Sequence, residues 1–271
     1  WASLILQDDE VLLISQEDMT CAFYLFRMPR AWCPYFAVGL PVKLEELTGN
    51  AKAREASLRM AGGANTSGIG YLVLQVLPMG WKSAVGIMQS VHRRLLASSL
   101  AKENRLPTTA EIRKTATMPS SSDQRTLNGW QVYLDNYASF IVALLRDADH
   151  LEGKASEWHQ KVRRAWESWN IPSAQDKSVT NSFEAKELGC FIDGRAGSLG
   201  TMVQRRLDAI ALSLFIASCR SPHRMWLAVT AGRWNFCLQF RRALTCVFYR
   251  VWQGISQWQN CRYLPKVISQ E

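Results

Sequence analysis

Tyr133-Leu134-Asp135-Asn136 lies between Trp130 and Val132 on one side and Tyr137, Phe140, Ile141, Val142, Leu144 and Leu145 on the other. Apolar flanks around a short polar break read as a β-hairpin with buried strands. Asp-Asn alone is also an ordinary turn dipeptide. A carboxylate at the tip of a buried hairpin is costly unless a cation meets it. A second such acid stands far upstream, where the β-rich apolar run Val11-Leu12-Leu13-Ile14-Ser15 leads into Glu17-Asp18. If the two strands are neighbours, Asp18 and Asp135 project to one edge of a sheet. There they can bridge two Mg²⁺ ions about 4 Å apart. Glu17 falls on the opposite face of its strand, because side chains alternate, and is left out of the pair.

At 271 residues, with 48% apolar and 10% aromatic side chains, the chain can bury a real core, which excludes a disordered protein. No run approaches the roughly 20 apolar residues of a membrane span, so no membrane partner is expected. Ala209 to Ser218 and Ser139 to Leu145 read as buried elements. The amino terminus carries Asp8, Asp9 and Glu10 in place of a basic n-region, so no signal peptide is expected. The start at Trp1 is read as a fragment or a piece of a larger polyprotein. Seven cysteines (21, 33, 190, 219, 237, 246 and 261) form no Cys-x-x-Cys pair, and there are only four histidines. That argues against zinc and for reduced thiols in an intracellular protein, cytoplasmic or nuclear.

The net charge of +9 is uneven: residues 1 to 50 hold three basic and seven acidic side chains, and residues 209 to 271 hold eight basic ones and a single acid, Glu271. A basic carboxy-terminal end suits a polyanion partner. A solvated basic surface is the other reading.

Residues 20 to 30 read as a helix or turn before Pro29, and Thr48 to Gly68 as a loop with a short helical piece. Tyr71 to Leu77 is a second strand, closed by Pro78-Met79-Gly80, and an amphipathic helix runs from about Ser83 to Lys102. Glu103 to Gly129 is polar and reads as a surface insertion. A helix from about Glu152 to Trp169 carries the core stripe Trp158, Val162 and Trp166, and Ile171-Pro172 stops it. Phe183 to Ile192 is a strand or tight hairpin. Helices follow from Val203 to Cys219 and from an N-cap and N1 pair at Ser221-Pro222, with Gly254 near the end of the last. The expected fold class is α+β, an antiparallel sheet packed on helices followed by an all-α bundle.

The words around the two acids carry a resemblance. Asp18-Met19-Thr20-Cys21-Ala22-Phe23-Tyr24 has an Asp followed four and five residues later by a small and an aromatic residue, and resembles motif A of reverse transcriptases. Val76-Leu77-Pro78-Met79-Gly80-Trp81-Lys82-Ser83, running on to Gln89, resembles the LPxG turn and helix of motif B. Tyr133-Leu134-Asp135-Asn136 stands where the YxDD box of motif C would be. Lys177 lies where motif D carries its lysine, and Glu187-Leu188-Gly189 is similar to the xLG of motif E, the primer grip. The resemblance covers residues 11 to 195 and is nearest to the reverse transcriptase of a retrotransposon, with a motif B wording close to the retroviral one.

That resemblance implies a polymerase palm with partial fingers over residues 1 to 200 and a helical thumb over 201 to 271. Asp18 and Asp135 would be the catalytic metal ligands, with the carbonyl of Met19 as a further oxygen, for two Mg²⁺ ions or Mn²⁺ in their place. Phe23 would lie under the sugar of the deoxyribonucleoside triphosphate and leave no room for a 2′-hydroxyl. Gly80 would admit the nascent base pair, Gln89 would fix the motif B helix, and Tyr133 belongs with these substrate-side residues. Lys177 could donate a proton to the departing pyrophosphate. Leu188 and Gly189 would grip the primer, and Arg233, Arg241 and Arg242, among the arginines from Arg220 to Arg250, would contact template–primer phosphates of RNA or DNA. Each also has a plainer reading: Asp135-Asn136 as a simple turn, Phe23 as core, Lys177 as a solvated lysine. His92 and His159 are read as structural.

Asn136 stands where the family usually has a second Asp, and Met79 and Val85 where retroviral enzymes carry Gln and Pro. Only 17 residues precede Asp18, so incomplete fingers are expected unless residues 25 to 70 compensate, and no RNase H domain is expected in the acid-poor segment after Asp208. The expected activity is template-directed DNA synthesis. The first alternative is a decayed or domesticated palm and thumb that binds nucleic acid without catalysis, and the second is an interaction protein whose motif matches are chance.

Overall fold

The computed structural model describes residues 4–43, 69–113, 127–220 and 222–257. The apolar run before Asp18 forms strand β1 (Glu10–Asp18). Strands β2 (Ala37–Lys43) and β3 (Ile69–Val73) pair with each other as a separate antiparallel ribbon. The flanks of Asp135 form β4 (Leu127–Tyr133) and β5 (Asn136–Leu144). With β6 (Val179–Ser182) they build the central sheet in the order β4-β5-β1-β6, antiparallel throughout. A third sheet follows, made of β7 (Glu184–Glu187), β8 (Cys190–Asp193) and β9 (Ser198–Thr201) in sequence order.

The described helices are α1 (Ala22–Leu25), α2 (Lys82–Ala97), α3 (Leu145–Leu151), α4 (Glu157–Ser168), α5 (Val203–Ser218), α6 (Arg224–Cys237) and α7 (Tyr249–Gln257). The period-two pattern of the central strands separates two cores. Trp130, Val132 and Tyr137 pack against Met88, Leu95 and Leu96 of α2 and Val162, Ala165 and Trp166 of α4. On the other face, Leu12, Ile14, Phe140 and Val142 meet Ala185 of β7 and Ile192 of β8. The stripe expected on α4 is therefore a core stripe, with Trp158 packed at its margin. Helices α5 to α7 form their own cluster around Ile216, Leu227, Ala231 and Val251.

The α+β class stands, and several boundaries move. The strand expected to reach Leu77 stops at Val73 and joins the ribbon instead of the central sheet, because Leu77 turns inward and donates to the Phe26 carbonyl at 3.0 Å. The helix expected to reach Lys102 ends at Ala97. Ser98 is extended there, and Lys102 in the following 3₁₀ segment has φ 49°. The described part of the expected surface insertion is tied to the core. Leu106 and Glu111 are buried, Glu111 pairs with Arg93 and Arg113, and Trp130 donates to the Pro107 carbonyl at 2.8 Å.

The helix expected from Glu152 begins at Glu157, capped by Ser156, whose hydroxyl accepts from the His159 N–H at 3.1 Å. Gly254 lies buried inside α7 and does not end it. The N-cap of α6 is His223, whose ring accepts from the Met225 N–H at 3.2 Å. Thr48 to Gly68 and Ser221 lie outside the described residues. No helix among those described is long and apolar enough to cross a membrane.

Candidate active site

Asp18 ends β1, and the β1–β5 register sets it opposite Asn136, the residue after Asp135. The Met19 N–H donates to the Asp135 carbonyl at 3.1 Å, so the peptide leaving Asp18 lies against the hairpin turn. Asp18, Tyr133, Asp135, Asn136 and Lys177 line one open cleft of about 670 Å³, shared with Gln16, Leu188 and Phe191. Lys177 Nζ bonds Asp18 Oδ2 at 2.7 Å, and that bond raises the lysine's pKa. Burial pushes the Asp135 carboxyl up, and the neighbouring Asp18 charge pushes in the same direction. The two acids line one open cleft, where Lys177 supplies a cationic partner to Asp18. Among the described residues no group of three or more His, Cys, Asp or Glu forms a metal cluster. An oxygen-only pair still fits Mg²⁺, which commonly takes one or two carboxylates together with water and phosphate oxygens.

The turn that carries Asp135 is held from below. Leu134 has φ 58°, an uncommon left-handed conformation for a leucine. Both polar groups of its backbone are taken by α2. The Leu134 N–H donates to Gln89 Oε1 at 2.8 Å, and His92 Nδ1 lies 2.7 Å from the Leu134 carbonyl. Gln89 Nε2 also donates to the Val132 carbonyl at 2.8 Å. Gln89 thus does more than steady its own helix: it clamps the turn, from outside the cleft.

Burial lowers the pKa of His92 from 6.5 to about 4, against the opposing effect of the Leu134 carbonyl. The ring is neutral in the fold and takes up a proton on unfolding below pH 6.5. Stability should therefore fall as the pH drops from about 6.5 to about 4, by roughly 3 kcal/mol from this group. Urea denaturation at both ends of that window measures it. His92→Gln should lose correspondingly less, and equal losses in the two proteins would refute the assignment.

Other expected residues fall in several places. Tyr133 is half exposed on the cleft wall. Phe23 lies on α1, partly buried against the core and outside the cleft. Gly80, also outside it, has φ 93° and open space where a Cβ would stand, so its backbone angle is what calls for glycine. Leu188 and Gly189 form a two-residue loop between β7 and β8 with φ 49° and 81°, as a type I′ turn requires. A Cβ at Gly189 would stand 2.9 Å from the Arg205 guanidinium, so this turn abuts α5. Arg233 lines a groove of about 510 Å³ with Arg205 and Phe236, while Arg241 and Arg242 are exposed beyond α6.

Glu17 points away from the cleft and is fully buried, bonded to His159 at 2.7 Å and to Arg163, so both it and His159 are structural. His92, read as structural in the sequence, is structural as part of the clamp, whereas Leu134 and Glu187, though they stand in quoted motifs, were given no role of their own. Ala185 and Glu187 alternate inward on β7. That pattern was the available signal for an inward-facing acid.

No protein-family model and no curated protein matches the sequence. In fold the chain is similar to solved structures of foamy viral protease-reverse transcriptase. The form in complex with RNA/DNA hybrid matches with TM-score 0.52 at 14% identity, over 90% of this chain and 24% of that one. The dRH form in complex with ds DNA gives 0.51 at 14%, over 94% and 32%. The enzyme in complex with dsDNA gives 0.50 at 16%, over 90% and 37%. The likeness is one of fold, reverse-transcriptase-like, and the chain spans between 24% and 37% of those longer chains.

Proposed function

We propose that this chain is the polymerase portion of a retroelement, an RNA-directed DNA polymerase acting by two-metal nucleotidyl transfer. The observation that carries this reading is the convergence of Asp18 and Asp135, distant in sequence, in one cleft beside Lys177. The central sheet and its helices would be the palm, the β2–β3 ribbon part of the fingers, and α5 to α7 the thumb. Asp18, Asp135 and the Met19 carbonyl would hold two Mg²⁺ or Mn²⁺ ions. Bound there, the ions lower the pKa of an attacking 3′-hydroxyl and offset charge on the leaving pyrophosphate.

The remaining work belongs to the chain. Gln89 and His92 hold the turn so that Asp135 needs no reorganisation. Lys177, 2.7 Å from Asp18, would hold a proton for the pyrophosphate. The Leu188-Gly189 turn and Arg233, Arg241 and Arg242 would follow the template–primer backbone without reading bases. A second reading, nucleic-acid binding without catalysis, is favoured by Asn136, which brings no charge to the cleft.

Extension of oligo(dT)-primed poly(A) with deoxythymidine triphosphate and Mg²⁺ or Mn²⁺ tests the proposal. Extension that stops on chelation of the metal is expected. Retention of the template–primer in a gel shift, with no extension in either metal, would overturn it in favour of the binding module.

A further inference from the structure

Glu187 is 2% exposed and closes β7 directly beneath the cleft. Its carboxylate gathers one side-chain amide from each of three strands of the central sheet. Gln16 of β1 donates to Oε2, Asn136 of β5 donates to Oε2 at 3.1 Å, and Gln131 of β4 donates to Oε1 at 3.2 Å. All three contacts are N–H donors, which suits an ionised acceptor. Among the described residues no lysine, arginine or histidine forms an ion pair with it. Burial raises its pKa, and the Asp18 charge adds to the effect.

A buried carboxylate satisfied only by neutral amides is expensive, and replacing it with an amide would remove that cost. A cation arriving in the cleft would offset that cost. Two of its three donors flank the acids of the cleft: Asn136 follows Asp135 and faces Asp18 in the register, and Gln16 lies two residues before Asp18 on the same strand face.

We propose that Glu187 is a positioning carboxylate of the divalent-cation site, supplying from one hydrogen bond away the negative charge that Asn136 lacks. This rests on the polymerase reading above. Glu187 is not a ligand. It fixes the Asn136 and Gln16 amides beside the two ligands, and it adds a third negative charge to the field an incoming cation meets.

Mn²⁺ binding to the protein alone, followed by the loss of the free-ion electron paramagnetic resonance signal, tests this together with thermal melting. Glu187→Gln should weaken Mn²⁺ binding by about tenfold, the order of effect reached by groups just outside the ligands of a metal site. Its melting temperature should be no lower than that of the parent, since an uncompensated buried charge is removed and amide side chains can turn to re-pair. The double variant Asn136→Asp/Glu187→Gln restores the charge and reverses the hydrogen bond, so its Mn²⁺ affinity should return to within about threefold of the parent.

A purely structural role predicts the opposite pattern, a lower melting temperature with unchanged Mn²⁺ affinity. That result would overturn the proposal, as would a double variant that binds no better than Glu187→Gln. Asp135→Asn separates the two claims. If the parent binds Mn²⁺, Asp135→Asn does not, and Glu187→Gln binds like the parent, only this inference falls. If the parent binds none, the polymerase reading falls with it.

Discussion

Asp135→Asn is expected to lower primer extension by about 10³-fold or more, equivalent to about 4 kcal/mol of transition-state stabilisation, while the fold stays intact. The side chain occupies a hairpin turn whose geometry is set by other groups. Gln89 and His92 hold Leu134, and the Met19 N–H holds the Asp135 carbonyl. None of these bonds uses the carboxylate. Burial and the charge of Asp18 both disfavour its ionised form, so an amide relieves repulsion and should leave the melting temperature equal or slightly higher. Asp18→Asn should behave alike, losing an exposed contact to Lys177 that contributes little to stability. Both variants should still retain a template–primer in a gel shift. Extension by Asp135→Asn at the parental rate would sink the two-carboxylate mechanism.

Glu17→Ala should fail for the opposite reason, losing roughly 3–5 kcal/mol of stability, the range for stripping one partner from a buried ion pair. Glu17 is fully buried beneath α4. Its Oε1 accepts from His159 at 2.7 Å, from Ser178 at 2.9 Å and from Arg163, and its Oε2 accepts from Ser173 at 3.3 Å. Burial raises the pKa of the group, but the bonds from His159, Arg163 and Ser178 outweigh burial and bring it from 4.5 to about 2. Removing the carboxylate leaves a buried imidazole and a guanidinium without their acceptor. The midpoint of urea denaturation measures the loss. A shift worth less than about 1 kcal/mol would mean that water entering beside Arg163 and Ser173 replaces the acid, and that the network is not what joins β1 to α4.

These two acids are neighbours in sequence and opposite in consequence, and the alternation of a strand accounts for it. Asp18 shares its face with Leu12, Ile14 and Gln16, while Glu17 shares the other with Val11, Leu13 and Ser15. That much was legible, because side-chain direction in a strand is local. The core stripe of α4 was legible for the same reason, from four-residue spacing, and of the two readings left open for Phe183 to Ile192, a strand or a tight hairpin, the fold takes the hairpin, β7 with β8. Strands β2 and β9 and helix α3 were not, since short segments with exposed or mixed faces carry little periodic signal. The end of α2 at Ala97 was hidden because Ser98 and the left-handed Lys102 break a pattern whose hydrophobicity continues to Leu106.

The site divides along the same line. Apolar runs placed Asp18 at the end of a buried strand and Asp135 in a turn, and motif order suggested that they meet. How they are supported rests on pairings that cross more than 40 residues: Gln89 and His92 under Leu134, and Glu187 under Asn136. Local spacing cannot announce such contacts. A glutamine on a helix or a glutamate before a turn looks the same whether it faces water or a neighbouring strand, and only the packing of α2 and β7 against the central sheet takes water from them. Once water is gone, each polar atom must find a partner within the protein. The hairpin at Tyr133 to Asn136 was therefore visible from its own residues, and the network that holds its carboxylate in place exists only in the folded chain.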